Sequence, residues 1–215
     1  MTKTISILDY GVGNLFSLRK AFEACGAEVR IINDAVGIKN SDKLILPGVG
    51  AFAKAMEELH KRELVEQIKE YALSDKPLLG ICLGAQMLMS ESHEYGVHKG
   101  LDLIKGKVIN ISDIENKAAS YKVPYVAWSE LYKSESNITW DNTILSDINI
   151  GTTAYFVHSF TFVPDNLENR LADTFYNEVR LCAAIKNENV YGTQFHPERS
   201  GKNGLKMITN FINIK

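Results

Sequence analysis

Four short apolar runs in the first part of the chain are separated by segments in which apolar residues recur every three or four positions. Leu15, Leu18, Phe22 and Cys25 keep this helical period, and Gly26 suits the position just after a helix. Strands that alternate with helices in this way predict an α/β fold with a mostly parallel central sheet flanked by helices. The runs that we predict as strands are residues 5–8, 29–32, 43–46 and 78–81.

Turn residues mark the ends of several of these elements. Asn14 is a good N-cap for the first helix, and the Pro-Gly-Val-Gly turn at residues 47–50 ends the third run. Helical spacing follows over residues 52–59 and 65–72. The nearly all-apolar run after it is typical of a central parallel strand that is buried on both faces.

After about residue 105 the helical period fades, and β-branched and aromatic residues cluster in short pieces. A helical face returns only over residues 205–212. Because no repeat and no Gly/Ser linker separates the two halves, we expect extra β strands in the second half and one domain over residues 1–215. The additional strands that we predict are residues 108–111, 122–127, 154–162, 181–185 and 190–195.

A chain of 215 residues with 45% hydrophobic and 23% charged residues is typical of a folded globular domain. The 24 Lys and Arg are balanced by 26 Asp and Glu without a run of five like charges, which argues against a nucleic-acid surface. No stretch approaches the roughly 18 apolar residues of a membrane span, and residues 2–8 do not resemble a signal peptide. We therefore expect a cytoplasmic protein without nucleic-acid or membrane partners.

Cysteine, histidine and glycine spacings argue against bound metals and nucleotides. The three cysteines form no Cys-x-x-Cys motif, and His93 and His98 lack the spacing of a helical metal-binding pair. Residues 11–13 lack the third glycine of a dinucleotide-binding loop, and residues 47–50 lack the Lys-Ser/Thr of a phosphate-binding loop. We expect no metal and no cofactor.

The motif Gly-Ile-Cys-Leu-Gly at residues 80–84 has the form of a nucleophile elbow. Small flanking residues allow the strained turn that lifts the side chain of Cys82 clear of the strand. We expect Cys82 to stand exposed at the start of a helix over residues 86–89, where the helix dipole favours the thiolate. The alternative is a buried cysteine that acts as a small hydrophobic residue, which is our interpretation of Cys25 and Cys182.

A thiolate nucleophile needs a base, and the chain has five histidines. His196 lies at the end of a predicted strand, where an α/β sheet places its site. Glu198 is close enough in sequence to accept a hydrogen bond from the imidazole and orient it. A solvated surface pair is the alternative, and His158 is the other candidate base.

The glycine-rich turn at residues 48–50 can aim backbone N–H groups at an oxyanion beside the nucleophile. The alternative is a turn that has only a structural role.

These motifs together resemble the class I, triad-type glutamine amidotransferases, whose fold is flavodoxin-like. The elbow, the glycine turn and the Gln-Phe-His-Pro-Glu motif at residues 194–198 carry the resemblance, which spans nearly the whole chain. More narrowly, the blocks at residues 9–15, 47–52 and 155–159 and the closing Arg199-Ser200 look like the glutaminase subunit of imidazole glycerol phosphate synthase.

The resemblance implies that Cys82 attacks the carboxamide of L-glutamine, His196 transfers the proton and Glu198 orients His196. It also implies a heterodimer with a (β/α)₈ cyclase subunit, which stimulates the glutaminase and uses its ammonia to make imidazole glycerol phosphate in histidine biosynthesis. The other implied residues are Val49, Gly50 and Leu83 in the oxyanion hole, Gln86, Glu94, Ser159 and Phe160 around the substrate, and Asn14, Trp128, Tyr155 and Arg199 facing the partner.

One stretch departs from the family. Residues 123–129 read Val-Pro-Tyr-Val-Ala-Trp-Ser where the family has a sequence close to Val-Pro-His-x-Gly-Trp-Asn. The resemblance places this stretch on the docking surface, so the departure bears on which partner binds. The alternatives are a paralogous subunit that supplies ammonia to a sugar amidotransferase in surface-polysaccharide biosynthesis, a binding subunit without turnover, and a stand-alone thiol hydrolase of similar fold.

Overall fold

The computed structural model describes residues 3–116, 122–135 and 138–214, and within these ranges the chain forms a central β-sheet with helices against it. The strands are β1 (Thr4–Leu8), β2 (Glu28–Ile32), β3 (Leu44–Leu46), β4 (Leu78–Ile81), β5 (Met89–Ser92), β6 (His98–Lys99), β7 (Ile104–Asn110), β8 (Tyr125–Glu130), β9 (Tyr132–Lys133), β10 (Thr153–His158), β11 (Phe160–Pro164), β12 (Arg170–Tyr176), β13 (Val179–Asn187) and β14 (Val190–Thr193). The α-helices are α1 (Leu15–Ala24), α2 (Ala35–Lys39), α3 (Phe52–Lys61), α4 (Val65–Ala72), α5 (Leu83–Gln86) and α6 (Gly201–Asn213).

Five strands on one side of the central sheet are parallel, in the order β2-β1-β3-β4-β14. With β14 counted as the fifth strand, this is the 2-1-3-4-5 order of flavodoxin-like folds, in which the ligand site lies at the carboxyl ends of the strands. The four strands predicted from the apolar runs are confirmed, each within one residue.

The second half of the chain extends this sheet with mostly antiparallel strands. Beyond β14 the order continues β13-β11-β7-β5-β6, and β12 pairs with both β13 and β9. Strands β8 and β10 form a separate antiparallel pair. The prediction of a mostly parallel α/β sheet with extra strands in the second half is therefore confirmed.

Alternate residues of the parallel strands pack into two hydrophobic cores, one on each side of the sheet. In β3, Ile45 packs into the core that holds Phe22 of α1, while Leu44 and Leu46 pack into the core that holds Phe52 of α3. Because both faces of β3 and β4 are buried, these two strands are apolar at nearly every position.

The predicted caps of α1 are confirmed. The Asn14 side chain accepts a hydrogen bond from the backbone N–H of Ser17, and Gly26 takes a left-handed conformation with φ of +85° just after the helix. No helix in the described residues is long and apolar enough to cross a membrane.

Two predicted elements are wrong because the chain changes its pairing partner. Residues 154–162 form two strands, since β10 pairs with β8 whereas β11 pairs with β7 in the central sheet. The helix predicted over residues 86–89 is instead the single turn α5, which ends at Gln86, and Met89 begins β5 beside β7. Pairing between distant segments determines the structure of both stretches, and such pairing cannot be predicted from local periodicity.

Other strands differ in extent from the prediction. Strand β7 begins at Ile104, four residues before the predicted start, and β14 ends at Thr193. Strand β8 begins only at Tyr125, after Pro124, which has no N–H to donate to a ladder. Strands β5, β6, β9 and β12 and helix α2 were not predicted.

Candidate active site

Cys82 lies in a strained turn between β4 and α5. Its backbone has φ of +54° and ψ of −112°, a conformation that residues with a side chain rarely adopt. A Cβ atom at Gly84 would lie 1.9 Å from the carbonyl oxygen of Leu46, and one at Gly80 would lie 2.7 Å from the Cα of Ala85. The two glycines therefore let the backbone pack closely around the turn, as the elbow motif predicts.

The prediction that Cys82 is exposed is wrong. Only 8% of the residue is accessible, because the loop after β3 and the loop after β14 pack on either side of the elbow. Cys82 instead lines a cavity of about 460 Å³. A small ligand in this cavity would contact the nucleophile.

The register of two parallel strands brings the candidate base to Cys82. Thr193 in β14 lies opposite Ile81 in β4, and the N–H of Cys82 donates to the carbonyl oxygen of Thr193 at 2.7 Å. The loop that follows β14 therefore passes beside the elbow. His196 in this loop lines the same cavity as Cys82, and its N–H donates to the carbonyl of Tyr155 at 2.9 Å.

Glu198 holds the imidazole of His196 in place. Its Oε1 lies 2.8 Å from Nδ1 of His196, and both side chains are more than nine-tenths buried. Glu198 thus occupies Nδ1 and leaves Nε2 as the ring nitrogen for proton exchange. Burial alone would lower the pKa of His196, but hydrogen bonds to Cys82 and Glu198 and the charges of both raise this pKa well above its ordinary value.

His158 lines the cavity as well, but its environment is different. Burial lowers the pKa of His158 to about 4, so its imidazole is neutral at physiological pH. Its Nδ1 lies 2.7 Å from the carbonyl oxygen of Phe160, which can only accept a hydrogen bond. Among the described residues, His158 has no carboxylate partner, whereas His196 has Glu198.

The glycine turn after β3 packs directly against the elbow. A Cβ at Gly48 would lie 2.7 Å from the backbone nitrogen of Gly84, so the two turns are in close contact. Val49, Gly50 and Leu83, the residues implied for the oxyanion hole, all line the cavity with Cys82. The hydroxyl of Tyr10 donates to the carbonyl of Pro47 and fixes the start of the turn.

The four residues implied to hold the substrate also line this cavity. Nε2 of Gln86 donates to the carbonyl of Phe160 at 3.2 Å, and Glu94 accepts a hydrogen bond from the N–H of Phe52, the first residue of α3. Tyr95 and Asn110 line the cavity too and were not predicted, since nothing in their sequence context marks them. The residues brought together here from the prediction are Gln86, Glu94, Ser159 and Phe160.

The four residues implied to face a partner lie near one another. Trp128 in β8 is directly opposite Tyr155 in β10, and the guanidinium of Arg199 lies 4.7 Å from the centre of the Tyr155 ring. Asn14 and Arg199 line a small cavity of about 60 Å³ that also touches His196 and Glu198. These residues therefore connect the surface to the buried side of the triad.

The departing stretch does not lie on this surface in the way that the resemblance implies. Successive residues of β8 face opposite sides, so Val126 and Trp128 are exposed whereas Tyr125 is only 4% accessible. Tyr125 stacks on Tyr176 and contacts the ring of His158 edge-on. The placement of Tyr125 on a docking surface is therefore wrong, because the strand turns its ring toward the interior.

Comparisons with known proteins identify the family of the chain. The sequence matches the family model for glutamine amidotransferase class-I over residues 6–214. The structure is similar to that of PurLQS from Thermotoga maritima, with a TM-score of 0.74 at 19% identity over 99% of both chains. It also resembles the glutaminase domain of Trypanosoma brucei CTPS, with a TM-score of 0.60 at 14% identity over 100% of this chain and 95% of that one. The chain is a class-I glutamine amidotransferase.

Curated relatives narrow the assignment. "Imidazole glycerol phosphate synthase subunit HisH 1" of Legionella pneumophila (strain Paris) is 46% identical over 211 residues, which are 98% of this chain and 99% of the relative. The HisH subunit of Sulfurimonas denitrificans is 42% identical over 98% of each chain. The chain belongs to the HisH family of imidazole glycerol phosphate synthase subunits. The resemblance predicted from the sequence is confirmed.

Proposed function

We propose that this chain hydrolyses L-glutamine to glutamate and ammonia as the glutaminase subunit of imidazole glycerol phosphate synthase. One observation carries the proposal: the buried pair His196 and Glu198 lies beside Cys82, which occupies a strained elbow at the edge of a cavity. The names of the relatives support this pathway and give no support to the sugar-amidotransferase alternative.

The raised pKa of His196 supports the first chemical step. The hydrogen bonds to Cys82 and Glu198 that raise the pKa of His196 favour its protonated form, so His196 suits a base that takes the proton of Cys82 and leaves the sulfur free to attack. The thiolate attacks the carboxamide carbon of glutamine, and the carbonyl oxygen becomes an oxyanion. His196 then donates its proton to the amide nitrogen and the C–N bond breaks. Ammonia is released, and a thioester remains on Cys82.

The second step returns the enzyme to its starting state. His196, now neutral, takes a proton from a water molecule that attacks the thioester carbon. The C–S bond breaks, glutamate is released and the proton on His196 returns to the Cys82 sulfur. Glu198 keeps the same ring nitrogen pointed at the reacting atoms in both steps, because it binds Nδ1 throughout.

The residues that line the cavity suit two further tasks, which are stabilising the oxyanion and binding the ammonium group of glutamine. Backbone N–H groups of Val49, Gly50 and Leu83 would stabilise the oxyanion, since these residues surround Cys82. The carboxylate of Glu94 and the free Oε1 of Gln86 are acceptors that suit the ammonium group of glutamine. Ser159 and Phe160 close the cavity on the side of β11.

The partner in this proposal is a (β/α)₈ cyclase subunit, which forms a heterodimer with the chain in the cytoplasm and receives the ammonia. Exposed Trp128 and the stacked pair Tyr155 and Arg199 offer it an aromatic, positively charged surface. The small cavity between this surface and His196 supports transfer of ammonia from the triad toward the partner.

The proposal is tested by measuring glutamate release and by complementation of a histidine auxotroph that lacks its glutaminase subunit. We expect growth with the unchanged chain and its own cyclase, no growth with Cys82→Ala, and growth with the control Cys25→Ala. Glutamate release without complementation would instead favour the sugar-amidotransferase alternative. If the Cys82→Ala chain still released glutamate, the triad assignment would be wrong.

A further inference from the structure

The sulfur of Cys82 contacts the side-chain amide of Gln194 as well as the triad. Nε2 of Gln194 donates toward Sγ of Cys82 at 3.7 Å. Gln194 is completely buried, and its backbone N–H is fixed by the carbonyl of Ala183 at 2.9 Å. The β4–β14 register places Gln194 there, because the residue after Ile81 lies next to the residue after Thr193.

The orientation of the Gln194 amide is set by a chain of hydrogen bonds that begins at the carbonyl oxygen of Phe160. This oxygen can only accept, and it accepts from Nδ1 of His158 at 2.7 Å and from Nε2 of Gln86 at 3.2 Å. Nε2 of Gln86 also donates to Oε1 of Gln194 at 3.0 Å. The Gln194 oxygen is thereby turned to Gln86, and its NH₂ group is turned to the sulfur.

In the other two cysteines the sulfur donates a hydrogen bond, whereas the Cys82 sulfur accepts one. Sγ of Cys25 donates to the carbonyl of Leu205 at 3.4 Å, and Sγ of Cys182 donates to the carbonyl of Ala184 at 3.5 Å. Burial raises the pKa of Cys182 to about 12. A sulfur that donates must keep its proton, whereas a sulfur that accepts from N–H is stabilised as the thiolate.

We propose that Gln194 is a positioning residue of the nucleophile, which donates a hydrogen bond to the Cys82 sulfur and holds it toward the cavity, with Gln86 orienting Gln194. The inference rests on the role of Cys82 in the proposed function. It adds a neutral donor to the thiolate beside the charged donor His196. It also gives Gln86 a task besides substrate contact, since its NH₂ group is already engaged.

The test is the rate at which iodoacetamide alkylates Cys82 in the full chain, without glutamine, followed by mass spectrometry of the Cys82 peptide from pH 5 to 10. Gln194→Leu keeps the size of the side chain and removes the donor. We expect alkylation at pH 7 to slow about tenfold and the midpoint of the pH profile to rise by about one pH unit, since a hydrogen bond to a charged group is lost. Gln194→Glu, which places an acceptor against the sulfur, slows it further.

Gln86→Leu gives an independent variant, because it keeps Gln194 but removes the hydrogen bond that orients its amide. We expect a smaller shift in the same direction, and the double variant Gln86→Leu/Gln194→Leu should equal Gln194→Leu alone. Gln67→Leu in α4, far from the cavity, is the matched control and should leave the profile unchanged. Thermal unfolding followed by circular dichroism checks that each variant is folded.

An unchanged pH profile in folded Gln194→Leu would overturn the proposal. If Gln194→Leu does not fold, an unchanged profile in Gln86→Leu would overturn it equally. Glutamine turnover plays no part in the alkylation, so the result is separate from the proposed function. A chain that shows the expected shift but releases no glutamate would contradict the proposed function and leave the Gln194 contact supported.

Discussion

Tyr125 and Ser129 lie on the same face of β8, four residues apart, and their hydroxyl groups are hydrogen-bonded to each other. The Tyr125 hydroxyl also donates to the carbonyl of Phe175 in β12. Both residues depart from the family pattern, and the structure joins them in one contact beneath the β8–β10 pair. The two departures therefore form a matched pair that fixes β8 on β12, rather than two separate changes to an outer surface.

We predict that Tyr125→Phe costs stability and leaves partner binding unchanged. The variant keeps the stacked ring but removes the hydroxyl that Ser129 and Phe175 share. The free energy of unfolding should fall by about 1 kcal/mol, measured by urea denaturation. A loss of affinity for the cyclase without a loss of stability would show that the Tyr125 hydroxyl contacts the partner and not Ser129 and Phe175.

Trp128→Ala should weaken binding of the cyclase and leave the stability of the chain nearly unchanged. The indole is 55% exposed and contacts Tyr155 edge-on, so its removal takes little from the core of the chain. A large aromatic residue at an interface is a typical hot spot, and the dissociation constant for the cyclase should rise at least about 30-fold. Isothermal titration calorimetry measures this, and unchanged affinity would place the interface elsewhere.

Much of the candidate site could be predicted from the sequence, because it depends on local chemistry. The glycines around Cys82 mark a tight turn, and the turn at residues 48–50 follows an apolar run that had to be a strand. His196 and Glu198 are two residues apart and contact each other directly. Such features need no knowledge of which strands pair.

The rest depends on pairing between distant segments. The role of Gln194 follows from the β4–β14 register, and the inward direction of Tyr125 follows from the contact of β8 with β12. Strand β12 was missed because polar residues break its apolar pattern. Its Asp173 is fully buried and is paired with Arg170 and Arg180, and this compensation for a buried charge is not visible in the sequence.

The two buried members of the triad should differ in their effect on turnover. His196→Asn removes the group that moves protons, and we expect kcat to fall on the order of 10³-fold. Glu198→Gln keeps a hydrogen-bonding side chain beside Nδ1, so kcat should fall by less, because only orientation and charge are disturbed. Steady-state glutamate release in the complex measures both. Retained activity in His196→Asn would point to His158 as the base.

Stability should decrease in mild acid because His158 is buried in its neutral form. Its pKa is about 4 in the folded chain and about 6.5 when unfolded, so between these values the unfolded chain binds more protons. The stabilising effect of a neutral His158 is complete above about pH 6.5 and is lost as the pH falls toward 4.

The expected slope is about 1 kcal/mol of unfolding free energy per pH unit within this window. Urea unfolding at pH 7 and pH 5 measures it, and His158→Gln provides the comparison because glutamine does not titrate. The variant should lose less stability than the unchanged chain over the same interval. Parallel curves for the two proteins would show that His158 does not titrate on unfolding.

The turn that would supply the oxyanion hole is fixed at one end and open at the other. Gly48 is held against the elbow, but Val49 is 46% exposed, and no atom of the described part of the chain lies within 4 Å of a Cβ placed on Gly50, whose φ is +103°. This part of the turn is free to change its backbone conformation, so a partner can select the conformation in which its N–H groups meet the oxyanion.

We expect little glutamate release from the isolated chain and an increase on the order of 100-fold with the cyclase and its acceptor substrate. Gly50→Ala should reduce the stimulated rate, because alanine narrows the range of φ through which the turn can move, whereas Gly151→Ala, with φ of +85° and equally open space outside the cavity, should not. Full activity in the isolated chain, or equal rates for the two variants, would contradict activation through this turn.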